Sequence, residues 1–262
     1  RQSNWDLACI LRTQEQLLDR SRDLRDRARL LASQSIHSAD WLLALPISAI
    51  GLRLSDEAVR VAVGLRLGVK ICEQHQCPCG AMVDELGSHG LSCRKSAGRQ
   101  QRHSLINDII WRAMTKAKIH AVKEPPGLTR NDGKRPDGVT LIPWSHGKCL
   151  TWDVTVPDTF AASHLVRTSV AAGAAAEHAA ELKTSKYSAL AAHYDFVPVA
   201  VETMGSWSDN AMLFIKSLGK RLTEATGDRQ ETFYLLQRIS VAIQRCNAIC
   251  FDGCFKPVDA LL

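Results

Sequence analysis

Nothing in the sequence resembles a signal peptide, and no uninterrupted apolar run reaches the roughly 18 residues that a spanning helix needs. A membrane partner is therefore not expected, and an intracellular compartment is. The nine cysteines cannot all pair with one another. Four lie between Cys72 and Cys93, and Cys246, Cys250 and Cys254 fall on one expected helix. This count speaks against a closed disulfide framework, so free or metal-bound cysteines in a reducing compartment fit better. A strong charge excess is also missing. A net charge of +6 with a pI near 8.9 permits an anionic partner such as nucleic acid without demanding one. There is no internal repeat and no low-complexity tract beyond a run of alanines. Arg1 stands where an initiating methionine would be, which suggests a fragment of something longer. With 262 residues the chain has room for one large domain or two modest ones.

Three segments are expected: a helical linker subdomain over 1–70, a Cys-Cys-His-Cys zinc knuckle over 71–95, and an α/β domain over 96–262. Leu17, Leu18, Leu24, Ala28 and Leu31 recur at helical spacing and predict an amphipathic helix through about residue 34. A short helix follows Ser38-Ala39-Asp40 and stops at Pro46, and Ser55-Asp56-Glu57 caps another that ends near Leu67. A helix from about Gly98 to Lys118 should bury Leu105, Ile106, Ile109, Ile110, Ala113 and Ala117. A short strand at 120–124 and a polar loop through Asn131-Asp132-Gly133-Lys134 come next. The Ala-rich stretch from Phe160 to His193 suits a helix packed closely on a sheet. Phe196 to Glu202 reads as an interior strand, with Glu202 at the end where α/β sheets place functional groups. Ser208-Asp209 caps a helix to about Ala225, and a last helix runs from about Arg229 to Cys250. The sum is an α/β core of order αβββαβ.

Cys77, Cys79, His89 and Cys93 supply three thiolates and one imidazole, a complete tetrahedral shell for zinc, with Gly80 and Gly90 permitting tight turns. Four protein ligands leave no open position, so such a site is structural. Cys72 and His75 are alternative ligands. Arg94, Lys95, Arg99, Arg102 and His103 follow at a helix entry, and beside a knuckle they are expected to contact nucleic-acid phosphates. His103 and Asn107 are four apart and share a face. Asp108 is expected to pair with Arg112, one turn along, rather than to act as a further acid.

Two β-rich runs, Arg135 to Trp144 and Cys149 to Val156, flank Ser145-His146-Gly147 and predict a hairpin. Each strand carries one carboxylate, Asp137 and Asp153. Acids are rarely buried unpaired, so two on adjacent strands suggest a shared cation. A three-residue loop with Gly147 left-handed pairs Trp144 with Lys148 and Val139 with Asp153, leaving Asp137 diagonal to Asp153 on one face. A loop of two or four residues is expected to put the acids on opposite faces.

The order and spacing of Cys77-Pro78-Cys79, His89 to Cys93, Arg102-His103, Arg135-Pro136-Asp137, Asp153 to Val156 and Lys183 to Tyr187 resemble a known family. It is the C-terminal region of non-LTR retrotransposon proteins of the restriction-like-endonuclease type, or a close retroelement relative, and the resemblance covers roughly residues 38 to 255. It implies a restriction-endonuclease-like core of the PD-(D/E)XK kind. It also implies Mg2+- or Mn2+-dependent hydrolysis of target DNA, with the nick priming a reverse transcriptase domain upstream in the same polypeptide. Element RNA is a further partner, and the nucleus is the place of action. On this resemblance Asp137 and Asp153 hold the metal, with the Val154 carbonyl as a further ligand. Thr155 stands where the simple motif has a lysine, and Lys186 or Lys183 on the following helix fills that role. Two other classes stay open: a nuclease-inactive zinc-containing nucleic-acid-binding module, and an intracellular structural domain.

Overall fold

A computed structural model describes residues 2–129 and 132–255, with side chains from residue 5. Asn131 and the end of the 96–262 segment lie outside the described residues. The architecture is mixed α/β, centred on a four-stranded sheet of order β3-β4-β5-β6. Its strands are β3 (Ala121–Lys123), β4 (Gly138–Ser145), β5 (Lys148–Thr155) and β6 (Tyr194–Ala200). The first three are antiparallel neighbours, and β6 runs parallel to β5. A parallel neighbour needs a crossover, and α6 (Ala162–Thr168) and α7 (Ala174–Lys186) supply it. One helix is expected there; Gly173, left-handed with φ 81°, breaks the run in two.

Alternation along β5 sorts the layers. Leu150, Trp152 and Val154 point into the main core, against α5 (Gly98–Lys116), α8 (Asp209–Thr226) and α9 (Glu231–Asp252). The opposite face receives α7, whose Ala176 and Ala180 pack on Ala200. Small side chains let that helix lie close to the sheet, which is what carries a lysine to a strand carboxylate. Of the expected stripe on α5, Ile106, Ile110 and Ala113 are buried, while Leu105, Ile109 and Ala117 are half-buried.

The expected N-terminal helix is two helices, α1 (Gln2–Asp19) and α2 (Leu24–Gln34). Asp23 breaks it, because its carboxylate accepts from Asp26 N at 2.8 Å and caps the second helix. Ser55 caps α3 (Asp56–Leu67) as expected. Ser208 does not cap α8; its hydroxyl bonds to the Ala200 carbonyl, and Glu177 Oε1 accepts from Asp209 N instead. A second apolar cluster joins Ala32, Val61, Leu65, Leu91, Met204, Ala248 and Phe251, so α2 and α3 share a core with α9.

The hairpin departs from its expected geometry. Its loop is His146-Gly147 alone, with both φ values positive (47° and 76°), and it pairs Ser145 with Lys148. On a regular ladder this would separate the two acids, but the ladder is irregular. Pairing shifts to Pro143 with Cys149 and then to Val139 with Thr151 and Gly138 with Trp152. Pro143 has no N–H to continue the ladder. The Thr140 hydroxyl fills the gap, accepting from Leu150 N at 2.9 Å and donating to the Ile142 carbonyl at 2.8 Å. The total slip is three residues, an odd number, which returns the two acids to one face.

Candidate metal centres and their cleft

The cysteine-rich segment folds around a two-stranded ribbon, β1 (His75–Gln76) and β2 (Met82–Val83), followed by the single turn α4 (His89–Ser92). Cys77, Cys79, His89 and Cys93 converge there, with one ligand atom from each inside 4.8 Å of the others. Cys77 and Cys93 sulfurs lie 3.7 Å apart, and Cys79 Sγ is 3.3 Å from His89 Nε2. A tetrahedral zinc shell needs S···S near 3.8 Å and S···N near 3.5 Å, from bonds of about 2.3 and 2.0–2.1 Å. The cluster therefore has the spacing and donor chemistry to hold a metal such as zinc. Donation from Ala81 N–H and the Cys77 thiol lowers the Cys79 thiol to about 6, which favours the thiolate a metal requires. Burial holds Cys93 above the usual thiol range.

The alternative ligands are excluded from the cluster by geometry. Cys72 Sγ turns to the Asp84 carbonyl, and His75 stacks on Phe255 at 4.3 Å. Cys254 lies beyond α9 instead of on it, buried against Cys77 and Cys93, and so ties the cysteine cluster to the end of that helix. Gly90 is needed for proximity and not for a turn: a Cβ there would sit 2.7 Å from the Cys250 carbonyl oxygen.

The second centre forms where β4 and β5 part. His103, Asp137 and Asp153 bring one ligand atom each within 4.8 Å. Lys183 Nζ lies 2.6 Å from Asp153 Oδ1, whereas Lys186 Nζ turns to the Tyr187 hydroxyl at 3.0 Å. Of the two lysines, Lys183 makes the contact. Asp137 Oδ2 accepts from Val154 N at 2.6 Å and faces His103 Nε2 at 2.9 Å. In a strand the N–H and C=O of one residue point to the same edge, so the Val154 carbonyl is directed toward the Asp137 side. Burial, and then the Asp137 charge, raise the Asp153 carboxyl, with Lys183 opposing. The hydrogen bond that the His103 ring donates to Asp137 raises His103. Burial, and then the Lys183 charge, lower Lys186.

The supporting contacts are specific. Asn107 Oδ1 accepts from the Trp152 indole N–H at 2.8 Å, and its amide reaches the Asp137 carbonyl at 3.4 Å. One face of α5 thus holds both the acid and the strand behind it, through His103 and Asn107. Gly138 leaves the space into which the Trp152 ring fits. Tyr187, fully buried, donates its hydroxyl to the Arg135 carbonyl at 2.8 Å and fixes the chain just before Asp137. Asp108 pairs with Arg112 at 2.6 Å and with Lys123, away from the centre. Glu202 is not a cleft residue. It is fully buried, accepting from Ala175 N at 2.9 Å, Ala176 N at 3.4 Å and Thr159 Oγ1 at 3.0 Å. It anchors the N-terminus of the helix that presents Lys183.

Two clefts of about 400 and 390 Å³ meet at this centre, sharing His103 and Lys183. Arg94 and Arg99 line one side, and Lys134, Arg135 and Lys186 line the other. The expected basic cluster therefore divides. Arg94, Lys95 and Arg99 are exposed, with Lys95 reaching the Pro78 carbonyl at 3.1 Å. Arg102 is 2% exposed, and its guanidinium donates to Asn247 Oδ1 at 2.8 Å and the Leu91 carbonyl at 3.1 Å. Its expected phosphate contact is corrected to a packing role between α5 and α9. His103 belongs to the acid centre. Lys134 and Arg135 add to the basic set from outside the expected cluster, and their place just before Asp137 is the signal for them in the sequence.

No helix among the described residues is long and apolar enough to cross a membrane. No protein-family model matches the chain, and no curated protein is detectably similar to it in sequence.

Proposed function

We propose that the His103–Asp137–Asp153 centre is a divalent-metal-dependent phosphodiesterase site acting on DNA, built on a restriction-endonuclease-like core beside a structural zinc knuckle. The observation that carries this reading is the contact of Lys183 Nζ with Asp153 Oδ1 at 2.6 Å, in a centre where Asp153 shares ligand spacing with Asp137. Two acids with no further purpose would repel. Two acids with an ammonium at the floor of a basic cleft are the donor set for a hard cation and a phosphate. The donor chemistry fits Mg2+ or Mn2+: carboxylate oxygens, with the Val154 carbonyl directed to the same side. When bound, such an ion would polarise a phosphoryl oxygen and lower the pKa of its water.

The chain's own groups do the remaining work. Asp137 and Asp153 would hold that ion, their oxygens lying within 4.8 Å of each other. Lys183 holds a positive charge beside Asp153, where it orients the attacking water and offsets charge developing on the phosphate. Arg94, Arg99, Lys134 and Arg135 grip the flanking phosphates. The resemblance to retroelement proteins supports a nick that primes reverse transcription, with the polymerase domain in the same polypeptide and element RNA as an accompanying ligand.

The test is nicking of supercoiled plasmid by the zinc-loaded chain with Mg2+ or Mn2+. Asp137→Asn and Asp153→Asn are expected to fall to background, while Asp108→Asn retains activity. Retention of DNA without nicking in either metal would replace this reading with the nuclease-inactive binding module.

A further inference from the structure

The acid centre contains a nitrogen donor that the two carboxylates do not explain. We propose that His103 is a metal ligand in its own right, so that the ion is held by two oxygens and one imidazole and the site prefers Mn2+ to Mg2+. This inference rests on the reading of the centre as a divalent-metal site and goes beyond it by naming the third ligand and the cation it selects.

Three observations carry it. His103 Nε2 lies 2.9 Å from Asp137 Oδ2. Neighbouring ligands on an octahedral ion with bonds of about 2.1 Å are separated by about 3.0 Å, so the pair already spans one edge of a coordination shell. The Asp153 oxygen lies within 4.8 Å of both, near enough for a neighbouring or opposite vertex. The ring is also held in place. His103 is in the second turn of α5, one residue after Arg102, which is clamped to Asn247, and four before Asn107, which is bonded to Trp152. A ligand fixed by its helix on both sides costs little ordering when an ion arrives.

The choice of cation follows from ligand type. Mg2+ takes oxygen donors almost exclusively, whereas imidazole adds affinity for transition ions, Mn2+ being the hardest of them. Lys183 remains outside the shell, paired with Asp153.

The experiment uses the zinc-loaded chain, so the knuckle is filled, with Mn2+ as the probe. Electron spin-echo modulation of the bound Mn2+ should show a directly coordinated nitrogen. That signal should change when only the histidines carry 15N and vanish in His103→Ala. Titration of the free Mn2+ signal should show His103→Ala weakening Mn2+ by at least about tenfold, with a smaller change for Mg2+ by competition. His103→Glu should restore Mg2+ and lack the nitrogen signal. Circular dichroism and a zinc content of one per chain certify each variant's fold. Mn2+ binding that depends on Asp137 and Asp153 but shows no nitrogen coupling in the wild type overturns the role of His103 and leaves the metal site standing. Binding unaffected by Asp137→Asn and Asp153→Asn overturns both.

Discussion

Replacing Glu202 with Gln should make the protein more stable in mild alkali, and by an amount the structure sets. Glu202 is fully buried, and burial lifts its carboxyl from 4.5 to about 7. A raised folded-state value means that the native chain binds the proton more tightly than the unfolded chain. Stability from this group is then present in full below about pH 4.5 and is lost as pH rises through about 7. The difference of about 2.5 units corresponds to about 3 kcal/mol. Gln keeps an oxygen to accept from Ala175 N and Ala176 N and cannot ionise. Urea unfolding of wild type and Glu202→Gln in parallel, from pH 5 to 8.5 in zinc-containing buffer, isolates the term, because contributions common to both chains cancel. The two should agree within about 1 kcal/mol at pH 5 and diverge to about 3 kcal/mol in favour of Gln at pH 8.5. A difference that is flat with pH, or a wild type that gains on Gln in alkali, would refute the reasoning. The second result would mean that the α7 amides stabilise the ionised carboxylate more than burial penalises it.

Other perturbations test the centre and its supports. Lys183→Ala should lower nicking by about 100-fold or more, and Lys186→Ala by less than about tenfold, because of the two lysines it is Lys183 that touches Asp153; comparable losses would undo the assignment. Gly138→Ala places a Cβ where the Trp152 ring lies and should cost about 1–3 kcal/mol in urea unfolding, with Trp152 emission shifted in the native state. Removing zinc with a chelator should melt the Cys77–Cys93 segment, expose Cys254 to thiol reagents and release one zinc per chain; a chain that keeps Cys254 protected without metal would show that the knuckle folds by packing alone. Tyr187→Phe removes the hydroxyl donated to Arg135 and should cost about 1 kcal/mol and loosen the loop before Asp137, measurable as faster proteolysis there.

Spacing carries most of what the sequence discloses about this chain, and rotation carries what it hides. The Cys77, Cys79, His89 and Cys93 set is legible because one pair sits in the turn of a tight ribbon and the other at the single helical turn that follows it, and so short a segment can hardly keep them apart. Periodicity along α5 is legible too, but not which side of that helix meets α9. Arg99 and Arg102 are three apart and look alike in sequence, yet one is exposed and the other is buried with its guanidinium on Asn247. Lys183 and Lys186 pose the same problem, and their answer depends on where Gly173 and Glu202 start the helix. Asp23 and Gly173 each divide a stretch that reads as continuous, because a cap or a left-handed residue outweighs the propensity around it.

The hairpin shows how two errors of that kind cancel. The loop is one residue shorter than its composition suggests, and on a regular ladder this would have set Asp137 and Asp153 on opposite faces. The ladder slips because Pro143 cannot donate and Thr140 can substitute a side chain for the backbone, and the slip is odd. Sharing of one face by the acids therefore depends on the Thr140 hydroxyl. Its removal would leave Leu150 N without its acceptor inside the core and free the strands to re-pair in the register the turn prefers, with Asp153 moved away from Asp137.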